Sequence, residues 1–314
     1  MKKGLVLVLA ILLTAGLVFA GGQQEGGDGM MKVGYVCNNF NDTFQTYVMD
    51  AAEKYFMDVD GIEIIFQDAQ EDVIRQQDLV NTFIAQGVDA LAVVPVDTSA
   101  MDPIVRAASE AGIPLCFINR NPYGEKNPPK NVYYVGSQEI IAGQQQMGLM
   151  GELLGGKGGV AILMGKLDNE GALKRTAGNE AVIADKYPGI KVLAKETGNW
   201  QRDQGLALTE NWLTAYGADL NGILANNDEM ALGAAEALRA AGREDVFVMG
   251  VDAIPDAKVA VGEGTLAATV LQDSVGQGAG GAKVLHKALM GETPDPITWV
   301  PFVLITKENL ADFQ

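Results

Sequence analysis

The chain has 314 residues, with 23 lysines and arginines against 40 aspartates and glutamates, one histidine and two cysteines. A net charge of −17 argues against sequence-independent nucleic-acid binding, which depends on basic side chains neutralising phosphates, and against an anionic membrane surface as partner. One histidine leaves little room for histidine metal sites or general bases, and two cysteines cannot build a disulfide scaffold.

Met1-Lys2-Lys3 is a short basic start, followed by apolar residues from Leu5 to Leu13 and again from Gly16 to Ala20. Val18 and Ala20 place small residues before a cut at Gly21, so residues 1–20 read as a secretory signal peptide. Its apolar part is about fifteen residues, short of the ~20 that a spanning helix needs. Removing Lys2 and Lys3 leaves 21 basic and 40 acidic residues, a net −19. Residues 21–30, rich in glycine and acid, read as a flexible leader. Export would permit a disulfide, but Cys37 and Cys116 fall in or at the end of strand-like runs and read as free buried thiols.

Beyond the leader, short apolar runs alternate with helical patterns. The predicted strands are Lys32–Cys37, Ile62–Gln67, Ala90–Pro95 and Leu115–Ile118, then Val132–Val135, Val160–Met164, Lys191–Ala194, Gly222–Ala225, Phe247–Gly250 and Ala267–Leu271. Between them lie helices over Phe44–Phe56, Asp72–Gln86, Ser99–Ala111, Ala142–Leu154, Leu173–Lys186, Asp203–Tyr216, Met230–Ala241 and Gly276–Met290. This order implies an α/β fold of two doubly wound parallel-sheet lobes. Such sheets bind ligands beyond the carboxyl ends of their strands.

Polar and aromatic residues gather at those ends. The first strand runs into Asn38-Asn39-Phe40-Asn41-Asp42-Thr43-Phe44, the fourth into Asn119-Arg120, and later strands into Asn226-Asn227-Asp228, Asp252 and Gln272. Asp42 or Thr43 and then Asp228 suit helix N-caps, but capping accounts for neither Arg120 nor Gln272. Catalytic patterns are missing. His286 sits on a helical stretch beside Lys287 and reads as a solvated surface residue. No G-x-S-x-G elbow is present, and the run Gly155–Gly159 precedes a strand where a phosphate cradle would follow one. That run reads as a helix end plus turn. Export without a catalytic set points to a binding protein and not to an enzyme.

The stretches Asn41-Asp42-Thr43-Phe44, Phe117-Ile118-Asn119-Arg120, Ala225-Asn226-Asn227-Asp228-Glu229-Met230-Ala231-Leu232-Gly233, Gly250-Val251-Asp252-Ala253-Ile254-Pro255 and Asn309-Leu310-Ala311-Asp312-Phe313 carry a resemblance. Over the whole mature chain the sequence resembles the periplasmic sugar-binding proteins of ABC importers, the type I periplasmic binding protein fold. The Asn-Asp-x-Phe loop and the pair Asn199-Trp200 resemble the galactose/glucose-binding type. The resemblance implies two lobes joined by three hinge crossings, near Gly136–Ser137, Gln272–Asp273 and Val300–Pro301. The first lobe would comprise residues 31–136 and 273–300, the second 137–272 and 301–314. It implies a periplasmic monomer that hands a monosaccharide to a membrane permease, and it leaves a chemoreceptor partner open. Glucose or galactose is the expected ligand, with ribose, xylose or inositol as the alternative.

By the same resemblance, Asp42 accepts from a sugar hydroxyl, and Phe44 and Trp200 stack on the ring. Asn119, Asn227 and Gln272 are hydroxyl-binding amides, Asp252 is a second carboxylate, Arg120 is a cation, and Arg175 faces the ring oxygen. The chemistry agrees, because flat rings match the C–H faces of a sugar while amides and charged groups match its hydroxyls. Asp42, Asp252, Arg120 and Arg175 would balance each other's charge. Asn169 and Gly171 stand where the type has His and Asp, so one acceptor is lost or is supplied by Asp168 or Glu170. Asn38 stands where the type has an aromatic. The type's calcium loop would fall near Leu154–Gly159, which has no carboxylates, so no metal or other cofactor is expected.

Overall fold

The computed structural model describes residues 29–313; the signal-peptide reading and most of the leader lie outside them. In chain order the chain forms β1 (Met31–Cys37), α1 (Thr43–Met57), β2 (Ile62–Asp68), α2 (Val73–Ala85), β3 (Ala90–Val93), α3 (Asp102–Ala111), β4 (Leu115–Ile118) and β5 (Val132–Gly136). Next come α4 (Glu139–Leu153), β6 (Lys157–Met164), α5 (Glu170–Lys186), β7 (Gly189–Thr197), α6 (Arg202–Tyr216), β8 (Leu220–Ala225), α7 (Asp228–Ala240), β9 (Phe247–Asp252), α8 (Pro255–Glu263) and β10 (Ala268–Leu271). The chain ends with α9 (Ser274–Leu289), β11 (Ile297–Trp299) and β12 (Val303–Thr306).

These strands make two six-stranded sheets, ordered β11-β5-β4-β3-β1-β2 and β12-β10-β9-β8-β6-β7. Every neighbouring pair is parallel except β12 against β10. The two-lobed α/β architecture expected from the alternation is therefore present. Strand order reverses between β1 and β3 in one sheet and between β6 and β8 in the other, and ligands bind at such reversals. The chain passes between the sheets three times: from β5 to α4, from β10 to α9, and from β11 to β12.

Side-chain alternation on a strand explains the layering. Val33, Tyr35 and Cys37 of β1 pack with Val48 of α1 and Leu285 of α9, while Val36 packs with Phe83 of α2 and Ile104 of α3. β3, β4 and β5 are buried along their whole length, as parallel strands covered on both faces must be. In the second lobe α4 and α5 cross closely enough that a side chain at Gly143 would run into the Arg175 carbonyl. Cys37 and Cys116 are buried and free.

Several expectations need correction. Gly158 and Gly159 belong to β6, so only Gly155 and Gly156 form the turn after α4. α8 and the short strands β11 and β12 had no periodic signal of their own. His286 is half-buried, and its Nδ1 lies 3.0 Å from the Tyr55 hydroxyl, so it ties α9 to α1 instead of facing solvent. Asp42 does cap α1, accepting from the N–H groups of Phe44 and Gln45. Asp228 does not cap α7; Asn227 does, accepting from Met230 N–H. Asp228 is instead fully buried, where it accepts from Ile254 N–H at 3.0 Å and from the Thr269 hydroxyl at 2.7 Å. It joins α7, α8 and β10. Asp228→Ala leaves both donors buried and unpaired, so it should cost about 2–4 kcal/mol of stability in urea titrations. A loss within about 0.5 kcal/mol, the range of an ordinary surface substitution, would contradict this role.

Candidate functional site

The carboxyl ends of both sheets converge on one cavity, the place where open α/β sheets bind ligands. All ten residues singled out from the sequence line it: Asp42, Phe44, Asn119, Arg120, Asn169, Arg175, Trp200, Asn227, Asp252 and Gln272. Gln45, Glu139, Glu170 and Gly171 line it as well. A larger cavity lies at the opposite end of the second sheet, among Leu149, Leu238, Phe247 and Leu266. Its walls are mainly apolar, and it sits where strands begin, the end that open α/β sheets do not use for ligands.

The first lobe supplies a carboxylate, a ring, two amides and a cation. Asp42 enters the cavity from the α1 cap, and Phe44 follows one residue into the helix, where it is both core and wall. Gln45 donates from Nε2 to Asn119 Oδ1 at 2.9 Å, and Asn119 Nδ2 donates to Gln277 Oε1 at 3.0 Å. That pairing holds Asn119 in the left-handed region, at a φ of 68°. Arg120 is buried, and its Nη1 donates to the carbonyls of Pro95 and Val96. Burial raises the Asp42 carboxyl above its ordinary range, with the Arg120 guanidinium pulling the other way.

The second lobe is organised around Arg175 of α5. Its Nε donates to Glu139 Oε2 at 2.6 Å, Nη1 to the Asn226 carbonyl at 2.6 Å and Nη2 to Gln272 Oε1 at 2.9 Å. Asp252 Oδ1 lies 3.8 Å away. The guanidinium also lies 5.9 Å from the Trp200 ring centre and 5.7 Å from that of Phe302, which adds cation–π attraction. Burial lowers the Arg175 pKa, but Glu139 and Asp252 outweigh it and hold the proton above the ordinary value. Burial likewise pushes Asp252 well up against the pull of Arg175. The charge of Arg175 is thus met mainly by Glu139, which the sequence reading left out, and only secondarily by Asp252.

Trp200 follows Asn199 in a turn where both residues have positive φ, 52° and 68°. The indole lies on Gly165, whose lack of a side chain makes room for it. Asn227 Nδ2 donates to the Trp200 carbonyl at 3.1 Å and fixes that turn. Asn169 caps α5, accepting from Gly171 N–H. Of the two proposed substitute acceptors, Glu170 lines the cavity and Asp168 is exposed. Gln45 Oε1 and Trp200 Nε1, atoms of two lining residues, are buried without a hydrogen-bond partner among the described residues, a cost of about 1–3 kcal/mol for each group. Among the described residues no three His, Cys, Asp or Glu side chains are grouped to hold a metal ion, and no helix is long and apolar enough to cross a membrane.

With this geometry in hand, three comparisons locate the chain. A family model described as a periplasmic binding protein domain matches residues 33–293. A putative rhizopine-binding protein of Rhizobium meliloti is 42% identical, over 88% of this chain and 90% of that one. The crystal structure of an ABC transporter solute-binding protein from Bacillus halodurans with bound myo-inositol superposes with a TM-score of 0.85 at 39% identity, covering 92% of this chain and 98% of that one. A D-galactose/methyl-galactoside binding periplasmic protein of Haemophilus influenzae is 30% identical, over 90% of this chain and 91% of that one. The galactose/glucose type is therefore a more distant match than the sequence reading expected. The Asn-Asp-x-Phe loop and the Asn199-Trp200 pair behind that reading build the α1 cap and the turn that carries the indole, and the departure at residues 169–171 also lies in the cavity wall.

Glu170 supplies a test of these electrostatics. Burial and then the Glu139 charge raise its carboxyl to about 7, while the Asn121 N–H and Lys174 pull it down. The folded state therefore holds a proton that the unfolded chain, at about 4.5, has released. This contribution to stability is complete below about pH 4.5 and is lost as pH rises through about 7. Glu170→Gln removes it, so the variant should gain on the parent between about pH 5 and about pH 8 in urea titrations. A stability difference that does not change with pH would contradict the shift.

Proposed function

The chain belongs to the periplasmic binding protein family, and we propose that it captures a neutral cyclic polyol such as myo-inositol between its lobes and hands it to an ABC importer permease. The observation that carries this reading is the composition of one cavity wall. Phe44 and Trp200 come from opposite lobes and offer flat apolar faces, while carboxylates and amides from both lobes surround them. A cyclitol carries a hydroxyl on every ring carbon and has C–H faces above and below, so it suits a site with acceptors on all sides.

Charge supports a neutral ligand. Arg175 is paired with Glu139 and Asp252, Arg120 lies near Asp42, and burial raises the Glu170 carboxyl to about 7. Three of the five N–H groups of Arg175 are already committed to the protein, which leaves it less free to serve as the ring-oxygen donor expected for an aldohexose. The 39%-identical structure holding myo-inositol supports the same choice. Glucose and galactose accordingly yield to the inositol alternative. The family points to the periplasm as the site of action, and the signal peptide read at residues 1–20 agrees. The relatives are described as binding proteins, so capture without turnover is the reading.

Calorimetric titration with myo-inositol, ribose, xylose, glucose and galactose tests it. A myo-inositol Kd of about 1 μM, near −8 kcal/mol, is expected, with the aldohexoses at least tenfold weaker. Heat with glucose or galactose and none with myo-inositol would overturn the ligand assignment. Asp252→Ala should weaken binding by about 2–4 kcal/mol, roughly 30-fold or more, while the protein stays folded by circular dichroism. Unchanged affinity would remove Asp252 from the site.

A further inference from the structure

Asn38 departs from the galactose/glucose type, and its surroundings give it a task. It is buried where β1 ends, and its Nδ2 donates to Glu71 Oε1 at 2.9 Å. Glu71 lies in the turn between β2 and α2. Gln70 and Glu71 both adopt positive φ there, 54° and 59°, a region that residues with a Cβ enter only under constraint. The constraint is visible: Glu71 N–H donates to the Asn38 carbonyl at 2.8 Å, and Asp72 N–H to the Ala69 carbonyl at 3.0 Å.

What the strained turn holds in place is one carboxylate with three neighbours. Beyond Asn38, Oε1 lies 3.9 Å from Arg120 Nη2, and Oε2 lies 3.1 Å from Lys166 Nζ. Asn38, Glu71 and Arg120 belong to the first sheet's lobe, and Lys166 follows β6 of the second. Among the described residues this is the only ion pair that joins the two lobes. Both partners are partly shielded, Glu71 at 19% and Lys166 at 29% side-chain exposure, so their attraction exceeds that of a fully solvated pair. Arg120 Nη1 is occupied by two carbonyls, which leaves the Nη2 side to Glu71.

We propose that Glu71 is a positioning residue that couples the orientation of Arg120 in the cleft to closure of the lobes. Its carboxylate steadies the guanidinium from one side and meets Lys166 only when the lobes are together. Asn38 keeps that carboxylate aimed at both. The ligand half of this inference rests on the polyol reading above; the closure half does not.

The test uses Glu71→Gln, Lys166→Met and the double variant in the full mature chain. Glutamine can still accept from Asn38, so the turn is retained. Stopped-flow displacement of myo-inositol should show dissociation roughly two- to tenfold faster in each single variant, with the double variant no faster than the faster single, because both remove one pair. Spin labels at Ile74→Cys and Leu173→Cys, one per lobe, should show a smaller closed population in each variant. Wild-type dissociation rates and distances in the single variants, or effects that multiply in the double, would overturn the proposal. If the parent protein binds no myo-inositol, the polyol reading fails and the label distances of the ligand-free proteins decide the closure claim alone. A closed population present in the parent and reduced in Glu71→Gln supports it, and identical distributions overturn it.

Discussion

A guanidinium cannot be buried alone, and the cleft is arranged around that constraint. Arg175 is about 5% exposed, and an uncompensated charge at such depth costs several kcal/mol. Its compensation is drawn from separate segments. Glu139 opens α4 just after the first passage between lobes, Gln272 stands at the second passage, Asn226 follows β8, and Asp252 ends β9. Gln272 also donates to Glu139 Oε1 at 3.4 Å, which closes a ring of three side chains. The cluster that satisfies one charge therefore ties two of the three inter-lobe segments to the floor of the cavity, and the hinge and the binding surface share the same side chains.

The same logic governs the charge of the site. Four carboxylates line the cavity against two guanidinium groups, a surplus that would repel any anion. Desolvation relieves part of that surplus, since burial raises Asp42, Glu170 and Asp252 toward their neutral forms. The amides of Asn119, Asn227 and Gln272 carry both a donor and an acceptor, which suits a ligand whose every polar group does both. Phe44 and Trp200 supply the complementary apolar surface.

Much of this was legible in the sequence because open α/β sheets put function at a fixed place. Once β1, β4, β8, β9 and β10 were recognisable as short apolar runs, the polar stretches just beyond them had to converge, and the family resemblance then singled out Asp42, Asn119, Arg120, Asn227, Asp252 and Gln272 within those stretches. Glu139 escaped because it precedes the apolar pattern of its helix and looks like an ordinary first-turn acid. Gln45 sits beside Phe44 on α1, and nothing local marks it as a partner of Asn119. Asp228 shows the limit of local rules: an acid at a helix start reads as a cap, yet here it crosses to α8 and β10. The role of Asn38 depends on Glu71, 33 positions away, a pairing that no spacing rule reveals. Strands β11 and β12 were missed because three- or four-residue edge strands carry too little pattern.

The central claim is that the lobes close on a neutral polyol held between two aromatic faces and a self-compensated set of charges. A crystal structure of the protein grown with myo-inositol tests it most directly. The account expects the ring between Phe44 and Trp200, with hydroxyls on Asp42, Asn227 and Asp252 and with the Arg175–Glu139 pair intact. Myo-inositol bound elsewhere, or a ring that contacts neither aromatic and breaks the Arg175–Glu139 pair, would contradict it.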